Sequence, residues 1–202
     1  MPIMQSILRT LLLVPTLFAV GCSCLGSARS FDPGELDREP GWIAVRDVPL
    51  ILQKEEEDCG AAAIAMVLEH WNARVSRDRI LEVCPMKTGE GILAKDLREL
   101  ARREGLNAYL THGEGSDLEV ELSCGHPVIV GLFKPYASGM VSHYEVVVAL
   151  QPGKKQIITL DPANGWRRNS LEGFLQEWDP AGRLTLVPFR EPTDKPPAAG
   201  GR

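Results

Sequence analysis

The spacing of apolar residues changes along the chain, from a helical period in the first half to runs typical of strands in the second. Three segments predict helices because their apolar side chains return every three or four positions: 59–71, 77–84 and 93–104. Other runs are rich in β-branched and apolar residues and predict strands: 107–111, 127–133, 143–150, 156–160 and 184–189. A further helix is predicted over 170–178. Helices followed by strands favour an α+β fold with an antiparallel sheet over alternating βαβ units.

The two ends of the chain lack this pattern and differ from each other. Residues 10–20 (TLLLVPTLFAV) form an apolar run after Arg9, too short to cross a bilayer and typical of a signal peptide. The small, polar and proline-containing stretches that flank the patterned region predict a flexible tether and a disordered tail. The predicted organisation is a signal peptide, a tether, one domain and a tail: 1–21, 22–45, 46–190 and 191–202.

Composition narrows the class of protein. A chain of 202 residues that is 44% hydrophobic can bury the core of a single domain. Its formal net charge is −5, its Lys and Arg residues do not cluster, and only 6% of its residues are aromatic. The positive field and the stacking side chains that nucleic-acid binding uses are therefore absent from the sequence, and we predict no nucleic-acid partner.

The end of the apolar run resembles a known processing signal. Residues 19–22 (AVGC) are similar to the bacterial lipobox, in which small residues precede a cysteine that is lipidated and becomes the new amino terminus. The resemblance implies an exported protein that is anchored by lipid at Cys22 and faces the periplasm, and Ser23 favours the outer membrane. Two alternatives remain, cleavage of an ordinary signal peptide near Ala28 and an uncleaved anchor.

Cys59 stands at the predicted start of the first helix, after the acidic run 55–58. We expect Asp58 to cap this helix and the glutamates to be solvated. The free backbone N–H groups and the dipole of a helix start favour a thiolate, and the small residues 61–63 would let another layer approach the sulfur. A lone cysteine is nevertheless more often a small buried side chain, so an activating partner is required.

A predicted hairpin supplies this partner. Its two strands flank QPGKK, a turn signal centred near Pro152. A turn centred there places His143 opposite Asp161 on one face of the sheet, whereas a shift by one residue pairs position 145 with Asp161 instead. An imidazole that is oriented by a carboxylate is the base that a cysteine nucleophile needs.

Four separated motifs resemble the bacteriocin-processing, double-glycine-leader cysteine peptidases of the papain-like group. They are Gln53 six residues before the cysteine, DCGAA at 58–62, HY at 143–144 before an apolar run, and DPxxG at 161–165. The resemblance runs from about Val48 to Pro188 and covers nearly the whole predicted domain.

This resemblance implies a fold and a site. The fold would be papain-like, with a helical lobe that carries the cysteine packed on an antiparallel sheet that carries the histidine and the aspartate. By the same resemblance Cys59 is the nucleophile, His143 the general base and then acid, Asp161 the residue that orients the histidine, and Gln53 the side-chain donor to the oxyanion.

The implied function is a cysteine peptidase that cleaves an exported or secreted peptide or protein through a thioester, after a small-residue site such as Gly-Gly. Members of the family usually precede an ABC exporter in one chain, whereas this sequence shows neither transporter spans nor a nucleotide-binding motif. We therefore expect a stand-alone exported version. Two alternatives use the same cleft, an inactive peptide-binding accessory protein of a secretion system and a thiol acyltransferase.

The remaining metal-binding and thiol residues carry weaker signals. Cys84 and Cys124 could pair in an oxidising compartment or remain buried free thiols. Cys124 and His126, together with His112, lack the paired spacing of a structural zinc site. We predict no metal and no cofactor.

Overall fold

The computed structural model describes residues 26–86, 91–136 and 139–191, and four of its six helices are those that the apolar pattern predicted. The helices are α1 Glu35–Arg38, α2 Cys59–His70, α3 Arg77–Val83, α4 Ala94–Arg103, α5 Gly115–Ser123 and α6 Leu171–Trp178. The side chain of Ser170 accepts a hydrogen bond from the Gly173 N–H at 3.0 Å and so caps α6, as predicted. No helix within these described ranges is long and apolar enough to cross a membrane.

The strands of the described part of the chain form one antiparallel sheet. They are β1 Arg29–Ser30, β2 Ile43–Ala44, β3 Asn107–His112, β4 Val128–Tyr136, β5 Gly139–Gln151, β6 Gln156–Asp161, β7 Gly165–Ser170 and β8 Leu184–Phe189. Their order is β1-β7-β6-β5-β4-β8-β3, and β2 pairs with β5. α2 packs against β5, α4 against β3 and β8, and α6 against β4. The predicted α+β fold with an antiparallel sheet is confirmed.

The segment before residue 46 belongs to the folded unit. β1 pairs with β7 and β2 with β5. The ring of Phe31 is buried and lies 6.2 Å from Trp42 and 6.5 Å from Trp166, measured between ring centroids. The predicted flexible tether at 22–45 is therefore wrong over 26–45. The sequence did not reveal this because the few apolar side chains of the segment are packed but too irregularly spaced to show a period. The predicted signal peptide, Cys22 and residues 192–202 lie outside the described residues.

The hairpin of β5 and β6 has a different register from the predicted one. Its turn is a 3₁₀ segment, Pro152–Lys154, followed by Lys155 in the left-handed region at φ 52°. A bulge then shifts the register within β5, so that Val146 pairs with Leu160. Asp161 consequently comes opposite position 145 rather than His143, which was the alternative register. The error arose because the turn is longer than a two-residue hairpin loop.

The two remaining described cysteines are free thiols in different environments. Cys84 is buried, and its sulfur lies 3.5 Å from the Asp96 carbonyl oxygen. Cys124 is exposed at the end of α5. No disulfide joins them, and the expectation of two buried thiols holds for Cys84 alone.

Candidate active site

Cys59 is the first residue of α2, a helix whose residues from Cys59 to Leu68 are all buried. The thiol residue itself is 7% exposed. Because the run of alanines favours a helix and presents little bulk, α2 can lie deep in the core with its first turn at the surface of a cleft. The first N–H groups of a helix have no intrahelical acceptor, so the sulfur lies beside free donors.

Asp58 precedes the helix but does not cap it with its side chain. Its backbone has φ −82° and ψ −2°, which is helical, whereas a capping side chain requires an extended backbone to reach back over the first turn. The buried carboxylate instead accepts hydrogen bonds from Arg77 of α3, at 2.7 Å from Nε, and from the Glu55 N–H. The predicted capping role is wrong, and Asp58 fastens the loop before Cys59 to α3.

His143 of β5 lies between Asp161 and Cys59. Its Nε2 is 2.8 Å from Asp161 Oδ1, and both side chains are almost fully buried. The imidazole and the Cys59 thiol line the same cleft, and Cys59 interacts with the imidazole strongly enough to raise its pKa. Because Nε2 is bonded to the carboxylate, Nδ1 is the ring nitrogen left to exchange a proton with the sulfur. The predicted proximity of His143 and Asp161 therefore holds although their register differs.

The turn after β6 holds the Asp161 carboxylate in place. Oδ1 accepts the Ala163 N–H at 2.8 Å, and Oδ2 accepts the side-chain amide of Asn164, also at 2.8 Å. A carboxylate with this many donors cannot rotate away from His143 without losing several charge-assisted hydrogen bonds. Asn164 is thus a positioning residue, and an asparagine three residues after the aspartate in DPAN was its only sequence signal.

The electrostatics of the pair favour a charged imidazole. Burial disfavours the imidazolium, but the hydrogen bonds and the negative charges of Asp161 and Cys59 outweigh burial and raise the pKa of His143 to about 10. Burial would likewise raise the pKa of Asp161, yet the hydrogen bond and charge of His143, with Asn164 and Lys134, hold it well below its ordinary value. The arrangement can hold a proton on the histidine next to a nucleophilic sulfur.

Gln53 lies on the loop that enters α2, as predicted, but its side chain points elsewhere. The amide Nε2 donates to the carbonyl oxygens of Glu55 and Glu56, at 3.0 and 3.1 Å. The backbone N–H of Gln53 donates to the Pro162 oxygen at 2.9 Å and so ties this loop to the turn after Asp161. The structure brings the other three predicted site residues together, whereas both amide hydrogens of Gln53 are directed into its own loop.

A cleft of about 640 Å³ opens over the sulfur and the imidazole. Several apolar side chains line it, namely Leu93, Leu132, Phe133, Val141, Tyr144 and Leu184. Glu56 and Glu57 lie on its rim side. Tyr144 approaches the start of α2 so closely that a Cβ on Gly60 would stand 3.3 Å from its ring. The small residues around Cys59 therefore do allow a second layer to approach the thiol, as the sequence suggested.

Charged side chains lie buried behind the pair. Donor atoms of His143, Glu145 and Asp161 lie within 4.8 Å of one another, a spacing at which a metal ion could be held. The ammonium of Lys134, however, already lies 2.6 Å from Glu145 Oε1 and 3.0 Å from Glu177 Oε2. The negative charge thus has a cation from the protein, and we treat the group as an ion-pair network. A single lysine and a single glutamate inside otherwise apolar strands were the sequence signal for it.

Comparison with known proteins gives the same assignment of family. Residues 47–189 match the model of the Peptidase C39 family. The Lactococcin-G-processing and transport ATP-binding protein LagD of Lactococcus lactis subsp. lactis is 27% identical over 129 residues. This match covers 64% of the present chain and 17% of LagD, so the chain corresponds to a small part of that relative.

Two solved structures have the same fold. The peptidase domain of Streptococcus ComA, a bi-functional ABC transporter involved in a quorum sensing pathway, is 25% identical, with a TM-score of 0.60 over 71% of this chain and 100% of that domain. A double glycine motif protease from an AMS/PCAT transporter, in complex with its leader peptide, is 24% identical, with a TM-score of 0.59 over 73% and 95%. The protein therefore belongs to the Peptidase C39 family, whose members are cysteine peptidases.

Proposed function

We propose that the protein is a cysteine peptidase in which Cys59 is the nucleophile, His143 the general base and acid, and Asp161 the residue that orients the histidine. The observation that carries this proposal is the buried imidazole, hydrogen-bonded at 2.8 Å to Asp161 and lining one open cleft together with Cys59. Family membership supports the reaction class.

The reaction follows from these positions. Nδ1 of His143 takes the thiol proton, and the sulfur of Cys59 forms a bond to the carbonyl carbon of the scissile peptide. Collapse of the tetrahedral intermediate breaks the C–N bond, while His143 gives its proton to the leaving amine. Water then attacks the resulting thioester and gives a proton to His143. The C–S bond breaks, the carboxylic acid leaves, and His143 returns the proton to the sulfur of Cys59. Asp161 stabilises the imidazolium throughout.

The oxyanion requires donors near the sulfur. The N–H of Cys59 at the start of α2 is one, and we propose the Gln53 amide as the second, after it leaves the carbonyl oxygens of Glu55 and Glu56. Gln53→Ala is then expected to lower kcat by about 10²- to 10³-fold with little change in KM. Steady-state kinetics on a short peptide test this. A kcat that stays within twofold of the wild type would contradict the oxyanion role and indicate that Gln53 only orders its loop.

For the substrate we propose a peptide or protein with a small-residue site such as Gly-Gly. The support is the class of relatives, one of which is a double glycine motif protease bound to a leader peptide. A synthetic peptide with Gly-Gly at the cleavage point should be cut after the second glycine. Its Val-Val counterpart should have a kcat/KM lower by more than about tenfold, since each added methyl group must be accommodated at the reacting centre.

Products identified by mass spectrometry distinguish the related activities. Equal cleavage of the two peptides would contradict the small-residue preference. A product joined to an added amine, in place of a free carboxylate, would instead indicate acyl transfer. Binding without turnover would indicate a peptide-binding accessory protein.

We also propose that the protein is exported, lipid-anchored at Cys22 and exposed to the periplasm at the outer membrane. The support is the AVGC motif at 19–22 and Ser23 after it. The mass of the mature protein from membranes should equal the chain from Cys22 plus lipid, and a mature amino terminus elsewhere would contradict the anchor. A secretion-system partner stays a prediction.

A further inference from the structure

A buried ion-pair network lies behind the His143–Asp161 pair, built from side chains of three different elements. Lys134 comes from β4, Glu145 from β5 and Glu177 from α6. The Lys134 Nζ lies 2.6 Å from Glu145 Oε1 and 3.0 Å from Glu177 Oε2, and the three side chains are 1%, 2% and 5% exposed. Burial of three charged groups is costly, so their retention calls for a reason beyond packing.

The network adjoins the residues of the proposed reaction. Ligand atoms of Glu145, His143 and Asp161 are within 4.8 Å of one another. Two carboxylates this close, both buried, repel each other strongly, and the single imidazolium of His143, bonded to Asp161, leaves one negative charge to be balanced. The Lys134 ammonium is the cation that the chain supplies at this point, through its bonds to Glu145 and Glu177.

We propose that Lys134 is a positioning residue for the peptidase site, held by Glu145 and Glu177 so that its charge keeps Asp161 ionised as the partner of His143. This inference rests on the proposed function of the site. It adds a role for three residues that touch neither the sulfur nor a substrate. Lys134 acts through Asp161, and Asp161 acts through His143.

The protonation behaviour of the network agrees with this assignment. Burial opposes the charged form of Lys134, but Glu145, Glu177 and Asp161 outweigh burial and hold the pKa of Lys134 above its ordinary range. These carboxylates therefore favour the charged form of Lys134. Burial raises the pKa of Glu177 despite the opposing charge of Lys134, and Glu177 Oε1 has no hydrogen-bond partner among the described residues.

The groups that face Asp161 determine in which direction each substitution should move the pKa of its carboxyl group. They are His143 and Glu145 of β5, Lys134 of β4 and Asn164 of its own turn, with Glu177 of α6 behind Lys134 and Cys59 of α2 beyond His143. Loss of the ammonium makes Asp161 easier to protonate. Loss of the neighbouring Glu145 carboxylate makes Asp161 harder to protonate.

The test is the pH dependence of Cys59 alkylation by iodoacetamide, followed residue by residue with mass spectrometry in the full-length protein. The acid limb of a profile is the pH range in which the rate of Cys59 alkylation rises with pH. Lys134→Met should move this limb to higher pH by about one unit, because a nearby opposite charge lowers a carboxyl pKa by about that much or more. Glu145→Gln should move the acid limb the other way. The double variant should return close to the wild-type profile.

Lys134→Met leaves two carboxylates without a counterion and can fail to fold. In that case Glu145→Gln is compared with Lys134→Met/Glu145→Gln, since neither variant has a carboxylate at position 145. The acid limb of the double variant should lie at higher pH than that of Glu145→Gln. The exposed Cys124 is the internal control, and its profile should be the same in every variant.

The outcomes separate the two proposals. An acid limb that stays in place when Lys134 is replaced, with only a lower rate or a lower melting temperature, would overturn the positioning role and leave a structural one. No pH-dependent activation of Cys59 in the wild-type protein would overturn the proposed function itself.

Discussion

Replacement of Cys59 by alanine is expected to lower peptide hydrolysis by about 10⁴-fold or more, the largest effect of any single substitution in this chain. The sulfur supplies the electron pair that forms the thioester, and no other described cysteine lies on the cleft that contains His143. The measurement is kcat/KM for a Gly-Gly peptide with purified full-length protein. The folded state should persist, since alanine favours a helix and the change removes only the sulfur from the first residue of α2.

Cys84→Ala and Cys124→Ser are the matched controls, since they remove a buried and an exposed thiol away from the cleft. Cys124→Ser should leave kcat/KM unchanged. Cys84→Ala is expected to lower stability through the cavity that it leaves, but the active-site titre of the folded variant should match that of the wild type. Residual hydrolysis of Cys59→Ala within tenfold of the wild type would show that another group attacks the peptide.

Asp161→Asn should also produce a large effect, a loss of about 10²- to 10⁴-fold in kcat, together with a narrower pH range. The carboxylate is a main reason why the pKa of His143 is raised to about 10. With a neutral amide, the imidazole should lose its proton nearer to its ordinary pKa of about 6.5. The alkaline limb of kcat/KM should therefore move from near pH 10 towards neutrality.

Stability measured against pH provides an independent check on the same variant. The pKa of folded His143 is raised, so its stabilising contribution is complete below about pH 6.5 and is lost as the pH rises towards the folded value. The pKa of Asp161 is lowered, so its contribution is present above about pH 4 and is lost as the pH falls. The wild type should exceed Asp161→Asn in stability most between these two values. An equal difference at every pH would contradict an ion pair.

The sequence predicts four of the six described helices and most strands because their periodicity is local, whereas α1 and α5 were not predicted. α2, α3 and α4 end within one residue of the predicted bounds. β7 was missed because GWRRNS has neither alternation nor β-branched residues, and its strand conformation depends on pairing with β1 and β6. The strands and the helix of 26–45 were missed for a similar reason, since their packing against β5, β7 and Trp166 is not a local property.

For the site, too, the sequence predicts what local motifs carry and not what depends on contacts between distant residues. The proximity of Cys59, His143 and Asp161 could be predicted because motif and order survive a wrong register. The conformations of Asp58 and Gln53 could not, because they depend on Arg77 and on loop carbonyls that no spacing rule connects to them. The ion-pair network was visible in the sequence only as a lysine and a glutamate in apolar strands.

The most direct test of the central claim, that His143 activates Cys59, is labelling of the reduced, folded protein with a peptidyl thiol-directed electrophile. The wild type should be modified at Cys59, and His143→Ala should be modified at least about 100-fold more slowly, because a positioned base contributes about 10²-fold or more. Exposed Cys124 serves as the internal reference for reagent and fold. No modification of Cys59 in the wild type, or undiminished labelling in His143→Ala, would contradict the activated nucleophile.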